Sequence, residues 1–154
     1  MSFRSLATIA TLAIAATTAA AQTPTTSATA STENAPKMPP PPTTDLVVAG
    51  RQLAEWILTN QLDSVVAHLA PDQNADTTKM ELTRFIEQLA IRGGNEVKVT
   101  EEKVVRRLGR YQYWRTADYD RAPGAVLLRI VLTPDGKYQG HGIGLANNPP
   151  PIDP

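Results

Sequence analysis

The feature that most constrains the fold is the stretch 109–145, whose pattern predicts three β-strands joined by two turns. Apolar residues there alternate with polar residues or glycine, and a period of two is typical of strands. Asp135-Gly136 lies between two of these alternations, and this dipeptide favours a two-residue hairpin loop. With that loop, Ile130 lies opposite His141, so the last two strands form an antiparallel pair.

The other turn of this stretch falls within residues 120–124. A loop that places Tyr119 opposite Ala125 also places Trp114 opposite Ile130, and this is the register we expect. Because side chains alternate across a strand, the two registers together divide the sheet into two faces. The predicted inner face, which covers the helices, comprises Gln112, Trp114, Thr116, Val126, Leu128, Ile130, Leu132, Gln139, His141, Ile143 and Leu145. The predicted outer face comprises Tyr111, Tyr113, Arg115, Leu127, Arg129, Val131, Tyr138, Gly140, Gly142 and Gly144.

The predicted outer face is half apolar, whereas a sheet face left in water is mainly polar. An apolar and aromatic patch commonly marks a contact surface, so we expect a homodimer interface there. The candidate interface residues are Tyr111, Tyr113, Arg115, Arg129, Val131 and Tyr138. Alternatively, the tyrosines and arginines shield the sheet with their apolar stems. Arg115 opposite Arg129 predicts repulsion unless a carboxylate such as Glu102 or Asp118 lies near.

The predicted inner face carries polar side chains that need partners if they are buried. We interpret them as the lining of a cavity that accepts a small apolar ligand. The candidate ligand-binding residues are Trp56, Gln112, Trp114, Gln139 and His141. A core histidine with satisfied hydrogen bonds is the alternative for His141. On a flat sheet Asp118 lies ~16 Å from His141, too far for an acid–base pair, and no catalytic residue is predicted.

Residues 45–92 predict three helices. The first is capped by Thr44 or Asp45 and buries an apolar stripe that includes Gly50. A glycine in a helix costs ~1 kcal/mol of propensity, which favours a close approach of Gly50 to another element. A short second helix is expected over residues 63–69.

The third helix carries the strongest end signals of the three. Thr78 begins a capping box, and Gly93-Gly94 provides a left-handed stop. Residues 96–108 follow as a first strand, and the break in their alternation near Glu101 predicts a bulge or bend. The expected fold class is therefore α+β, with N-terminal helices packed on a four-stranded antiparallel sheet.

The two ends of the chain have compositions that do not predict a packed core. Residues 1–21 combine a basic start, a short apolar run and a small-x-small pattern, which is typical of a signal peptide cleaved after Ala21. Residues 22–44 form a spacer rich in Thr, Ser and Pro, and 148–154 form a Pro-rich tail; both are expected to be disordered. The globular domain therefore spans 45–147. We expect an exported protein, periplasmic or secreted, without a membrane span.

Composition argues against several classes of function. Lys plus Arg number 15 and Asp plus Glu also number 15, so no net field attracts nucleic acid. The sequence has no cysteine, and neither a metal-binding motif nor a phosphate-binding glycine loop occurs in it. We therefore expect no metal, no cofactor and no nucleic-acid partner.

The order of three helices and a bent four-stranded meander resembles the nuclear transport factor two-like (cystatin-like, SnoaL-like) superfamily. The segments that carry the resemblance are GRQLAEWILTNQLDSVVAHLAP, GRYQYWRTADYD and LLRIVLTPDGKYQGHGIG. They look like the small exported bacterial domains of that superfamily that have no assigned function. The resemblance implies a curved sheet that curls around the first helix into a cone-like roll.

Enzymes of this superfamily with isomerase, dehydratase or cyclase activity place Asp, His or Tyr inside the cone. This chain departs from them, because its first helix presents Trp56 and no carboxylate is assigned to the inner face. An isomerase needs a carboxylate base and a donor for the developing oxyanion. The expected function is therefore an exported noncatalytic binding or self-association module. The alternative is a small-molecule binding protein or isomerase-like enzyme that uses the cone interior.

Overall fold

The structure is a computed structural model that describes residues 39–154. The predicted signal peptide, residues 1–21, and residues 22–38 of the predicted spacer lie outside the described residues. Within the described residues, three helices precede four strands: α1 (Leu46–Leu58), α2 (Leu62–Val66), α3 (Ala75–Arg92), β1 (Glu96–Arg107), β2 (Arg110–Tyr119), β3 (Val126–Leu132) and β4 (Tyr138–Leu145). The strands form one open antiparallel sheet in the order β1-β2-β3-β4. The predicted α+β class is confirmed.

Helix α1 begins and packs as the sequence predicts. The side chain of Asp45 accepts hydrogen bonds from the amides of Val47 and Val48 and caps the helix. Gly50 lies directly against the ring of Tyr113 in β2, where a side chain at position 50 would have no room. The predicted close approach at Gly50 is therefore confirmed. It brings α1 onto the sheet.

The bounds of the other two helices differ from the prediction. Helix α2 is shorter than the expected 63–69. Helix α3 begins four residues earlier than expected, because the Asn74 side chain accepts from the amide of Thr77 and supplies the cap. Thr78, the expected cap, is buried inside the helix instead. Gly94 follows the helix with a positive φ of 78°, in agreement with the predicted left-handed stop.

The first hairpin combines a bulged strand with a tight turn. Two register shifts interrupt β1, the second of them between Val99 and Glu101, so the predicted break near Glu101 is confirmed. Leu108 and Gly109 connect β1 to β2, and both have positive φ (53° and 68°). Two such residues match the right-handed twist of a hairpin.

The pairing of β3 with β4 is predicted correctly over most of its length and wrongly at its start. Ile130 lies opposite His141, as expected. Next to the loop, however, Leu132 pairs with Tyr138, and Gln139 is the extra, unpaired residue of a bulge. The loop is longer than two residues, since the amide of Thr133 donates to the carbonyl of Lys137. Tyr138 therefore turns to the inner face and is buried in the core.

The predicted pairing of β2 with β3 is wrong by one residue. Tyr113 lies opposite Ile130, and Trp114 lies opposite Arg129. A shift of one residue exchanges the faces of a whole strand. The β2–β3 loop is anchored to the α3–β1 connection, where the amide of Asn95 donates to the Asp120 carboxylate and the amide of Asp120 donates to the Asn95 carbonyl. This tertiary anchor sets the register.

The corrected registers place different side chains in the core. Tyr111, Tyr113, Arg115 and Tyr138 lie on the inner face, and Gln112 and Trp114 lie on the outer face. The core between helices and sheet comprises Leu46, Leu53, Ala54, Ile57, Leu62, Val65, Leu82, Tyr113, Leu128, Ile130, Leu132 and Tyr138. Within residues 39–154, no helix is both long and apolar enough to cross a membrane.

Candidate functional site

A network of ion pairs joins α1 to the first two strands on the inner side of the sheet. Arg115 donates to Glu96 at 2.6 and 3.0 Å and to Glu102 at 2.9 Å. Arg51, from α1, also donates to Glu102, at 2.6 and 2.9 Å. The Tyr113 hydroxyl donates to the same carboxylate. Two arginines thus face two carboxylates, and the network is balanced in charge.

The electrostatics of this network favour a structural role. The hydrogen bond from Arg51, with a smaller contribution from Tyr113, lowers the pKa of Glu102 to about 2, although burial opposes the shift. Burial and the neighbouring Glu102 raise the pKa of Tyr113. A general base works best with a pKa near the operating pH. Neither group meets this condition, and the contacts from Arg51 to Glu102 tie α1 to the sheet.

A second polar pair lies on the inner face beside α3. The Tyr138 hydroxyl and Nδ1 of His141 are 2.5 Å apart, and the Phe85 ring meets the imidazole edge-on with its centroid at 4.6 Å. Burial lowers the pKa of His141, and the carboxylate of Glu81 opposes this shift. The lowered pKa favours the neutral imidazole, which can accept the hydroxyl proton in a hydrogen bond.

An open apolar cavity of about 320 Å³ lies between α3, the β2–β3 loop and the end of β4. Its lining comprises Phe85, Gln88, Leu89, Arg92, Gly93, Ala122, Pro123, Val126, Ile143, Gly144 and Leu145. Ile143 and Leu145 belong to the inner face but remain 39% and 42% exposed. The end of β4 therefore lies partly uncovered. Gln88 and Arg92 are the polar side chains of this cavity.

The outer face of the sheet is covered, although it faces away from the helices. Trp114 and Leu127 are only 5% and 3% exposed there. Residues 146–154 leave β4 and run to the β1–β2 turn, where the Asp153 carboxylate accepts from the amides of residues 108 and 109 at 2.9 and 2.8 Å. The amide of Asp153 donates in turn to the Arg106 carbonyl at 2.8 Å. This C-terminal segment has no helix or strand and lies along the outer face.

The structure does not bring the predicted ligand-binding residues together. Trp56 packs on the ring of His68 with centroids 4.7 Å apart. On the opposite side of the sheet, the indole N–H of Trp114 donates to Gln112 at 3.1 Å. His141 lies on the inner face as predicted, beside α3. Gln139 occupies the bulge described above.

The predicted interface residues are also divided between the faces. Arg129 and Val131 lie on the outer face, whereas the other four lie on the inner face. The predicted clash of Arg115 with Arg129 does not arise, because their side chains are on opposite faces. Glu102, one of the carboxylates suggested for Arg115, does pair with it.

Two features of the structure were not predicted from the sequence. The apolar cavity combines residues from α3, a loop and β4, and its only local signal is a pair of apolar residues, Ile143 and Leu145, near the end of a strand. The contact of Asp153 has a weaker signal, a single acidic residue in a proline-rich tail.

No protein-family model, curated protein or solved structure matches the chain. The class that the fold defines is an α+β domain with an open antiparallel meander. Its function therefore has to be inferred from its cavities and polar groups.

Proposed function

We propose that this chain is a noncatalytic binding module whose ligand, a small apolar molecule, occupies the cavity between α3 and β4. The observation that carries the proposal is this cavity of about 320 Å³, whose apolar wall includes the exposed Ile143 and Leu145. Small-molecule sites are concave, mostly apolar and of ~300–1,000 Å³, with a few polar groups that orient the ligand. Gln88 and Arg92 fit that last role.

The ionisable groups of the inner face support binding rather than catalysis. Glu96 and Glu102 are both held in ion pairs with Arg115, and the low pKa of Glu102 makes it a poor base at neutral pH. An isomerase-like enzyme is the second candidate. It is favoured by the Tyr138–His141 pair, since Phe85 contacts His141 and also lines the cavity.

Our proposal includes export and membership of the nuclear transport factor two-like superfamily. Export is supported by the apolar run and the small-x-small pattern of residues 1–21. The superfamily is supported by the order of three helices and a four-stranded meander. A homodimer through the outer sheet face has less support, because residues 146–154 occupy that face.

A neutral fluorescent probe, 1-aminoanthracene, tests the cavity. We expect saturable binding with an increase in emission, and loss of that binding in Ala122→Phe, whose ring enters the cavity. Ala75→Phe is the matched control, since Ala75 is exposed at the other end of α3. Far-UV circular dichroism checks that both variants fold. Equal binding by both variants, or no saturable binding by the original chain, would refute the site.

The variant His141→Ala separates the two candidate functions, because only the isomerase-like enzyme uses the imidazole. His141→Ala removes the only imidazole of the inner face but none of the cavity wall. A binding module should keep its affinity for the probe after this change. An isomerase-like enzyme would lose turnover of its substrate.

A further inference from the structure

Two arginines on the outer face each have one buried guanidinium nitrogen. The Nε atoms of Arg107 in β1 and Arg129 in β3 are buried and find no hydrogen-bond partner among residues 39–154. Arg115 on the inner face, by contrast, makes three hydrogen bonds to carboxylates. Leaving a buried charged donor unpaired costs more than a single hydrogen bond contributes. Two such guanidinium groups on one face favour the binding of an anion.

Arg129 borders a second cavity, which shares Ile143, Gly144 and Leu145 with the cavity beside α3 but none of that cavity's α3 residues. This outer cavity has a volume of about 400 Å³ and lies between β3, β4 and residues 148–151 of the C-terminal segment. Gly142 makes room for the arginine, because a side chain there would come within 2.9 Å of the Arg129 Nη2 atom. Leu127 and the prolines 149–151 supply an apolar wall.

Two carboxylates near this face are engaged elsewhere, and a third, Asp118, lies opposite Lys98 at the far end of β2. Glu101 pairs with Lys103 at 2.9 Å, and Asp153 is held by the backbone amides of the β1–β2 turn. Among residues 39–154, neither Arg107 nor Arg129 forms an ion pair. The pKa of Arg129 is lowered by burial and by the charge of Arg107, as expected for two cations close together. The face thus has an excess of positive charge beside an apolar wall.

We propose that the outer cavity binds an amphipathic anion. Its oxyanion head, a carboxylate or a phosphate, pairs with the guanidinium of Arg129 within the field of Arg107. The planar guanidinium suits such groups because two parallel N–H bonds can meet two oxygens. The alkyl part of the ligand lies against Leu127 and the proline segment, which therefore forms one wall of the site.

Isothermal titration calorimetry of the purified full chain with octanoate and octyl phosphate tests this proposal. Inorganic phosphate and octanol supply the head and the tail separately. We expect octanoate and octyl phosphate to bind saturably and more tightly than inorganic phosphate or octanol. Added salt should weaken the binding of both amphipathic anions. Arg129→Gln should weaken binding by roughly tenfold or more, as expected for loss of a charge-assisted pair. Arg84→Gln, on the exposed side of α3, should leave it unchanged.

The controls separate this site from the apolar cavity. Octanoate binding should survive Ala122→Phe, which blocks only the cavity beside α3. Loss of octanoate binding in Ala122→Phe but not in Arg129→Gln would overturn the outer site while supporting the proposed function. Equal affinity for inorganic phosphate and octyl phosphate would overturn the role of the apolar wall. Absence of anion binding would overturn the proposal altogether, and circular dichroism of Arg129→Gln guards against misfolding.

Discussion

Replacing Gly50 by alanine tests how α1 packs on the sheet. A Cβ atom at this position would lie 2.6 Å from Cδ2 of Tyr113 and closer still to two other carbons of that side chain. Carbon atoms in good contact are ~3.5–4.0 Å apart. The tyrosine cannot easily move away, because it is fully buried and its hydroxyl is bonded to Glu102.

Two opposing effects determine how much Gly50→Ala changes the free energy of unfolding. In an unobstructed helix, glycine to alanine stabilises by ~1 kcal/mol through helix propensity. Overpacking a well-filled core costs ~1–3 kcal/mol, and an overlap with three ring and side-chain carbons belongs at the upper end. We therefore expect Gly50→Ala to lower the free energy of unfolding by about 2 kcal/mol.

Urea unfolding followed by far-UV circular dichroism measures this change. Gly124→Ala is the matched control, because no atom of residues 39–154 lies within 4 Å of a Cβ atom at that position. It should leave stability unchanged or raise it by a few tenths of a kcal/mol through the unfolded chain. If Gly50→Ala proves as stable as the original chain or more stable, α1 does not approach Tyr113 as closely as described.

Two further changes test the polar contacts. The pKa of Glu102 is lowered from 4.5 to about 2, so its contribution to stability is complete above pH 4.5 and is lost as the pH falls toward 2. Glu102→Gln should make the urea midpoint nearly independent of pH over that range, whereas Glu101→Gln, at an exposed position, should show the same fall of the midpoint with acid as the original chain. If the midpoints of both variants fall equally with acid, the network is contradicted. Asp153→Ala should release the C-terminal segment, so that in a Trp56→Phe background the emission of Trp114 shifts to the red and is quenched more by acrylamide. An unchanged spectrum would mean that this segment does not cover Trp114.

The parts of the fold that depend on local chemistry were predictable from the sequence. Asp45 caps α1 through its own side chain, and Gly50 marks a contact because only glycine fits there. Both features are decided by residues near each other in the chain, or by a residue type with a single physical use. The pairing of Ile130 with His141 agrees with the prediction because the bulge at Gln139 offsets the longer loop.

The parts that depend on tertiary anchors were not predictable. The β2–β3 register is set by Asp120 and Asn95, which lie far apart in the chain, and no turn propensity reports that contact. The bulge at Gln139 accompanies the backbone bonds of Tyr138 with residues 68 and 70 after α2. Since one residue of shift exchanges the faces of a strand, these two contacts decide which side chains are buried. The candidate site residues were divided between the faces for this reason.

The position of the C-terminal segment has a consequence for biosynthesis. Residues 146–154 follow all four strands, so the sheet can pair before its outer face is covered. During that interval Leu127, which borders the same cavity as prolines 149–151, is exposed to other chains, and transiently exposed apolar surface promotes aggregation. The nascent protein thus depends on its last described residues to leave this vulnerable state.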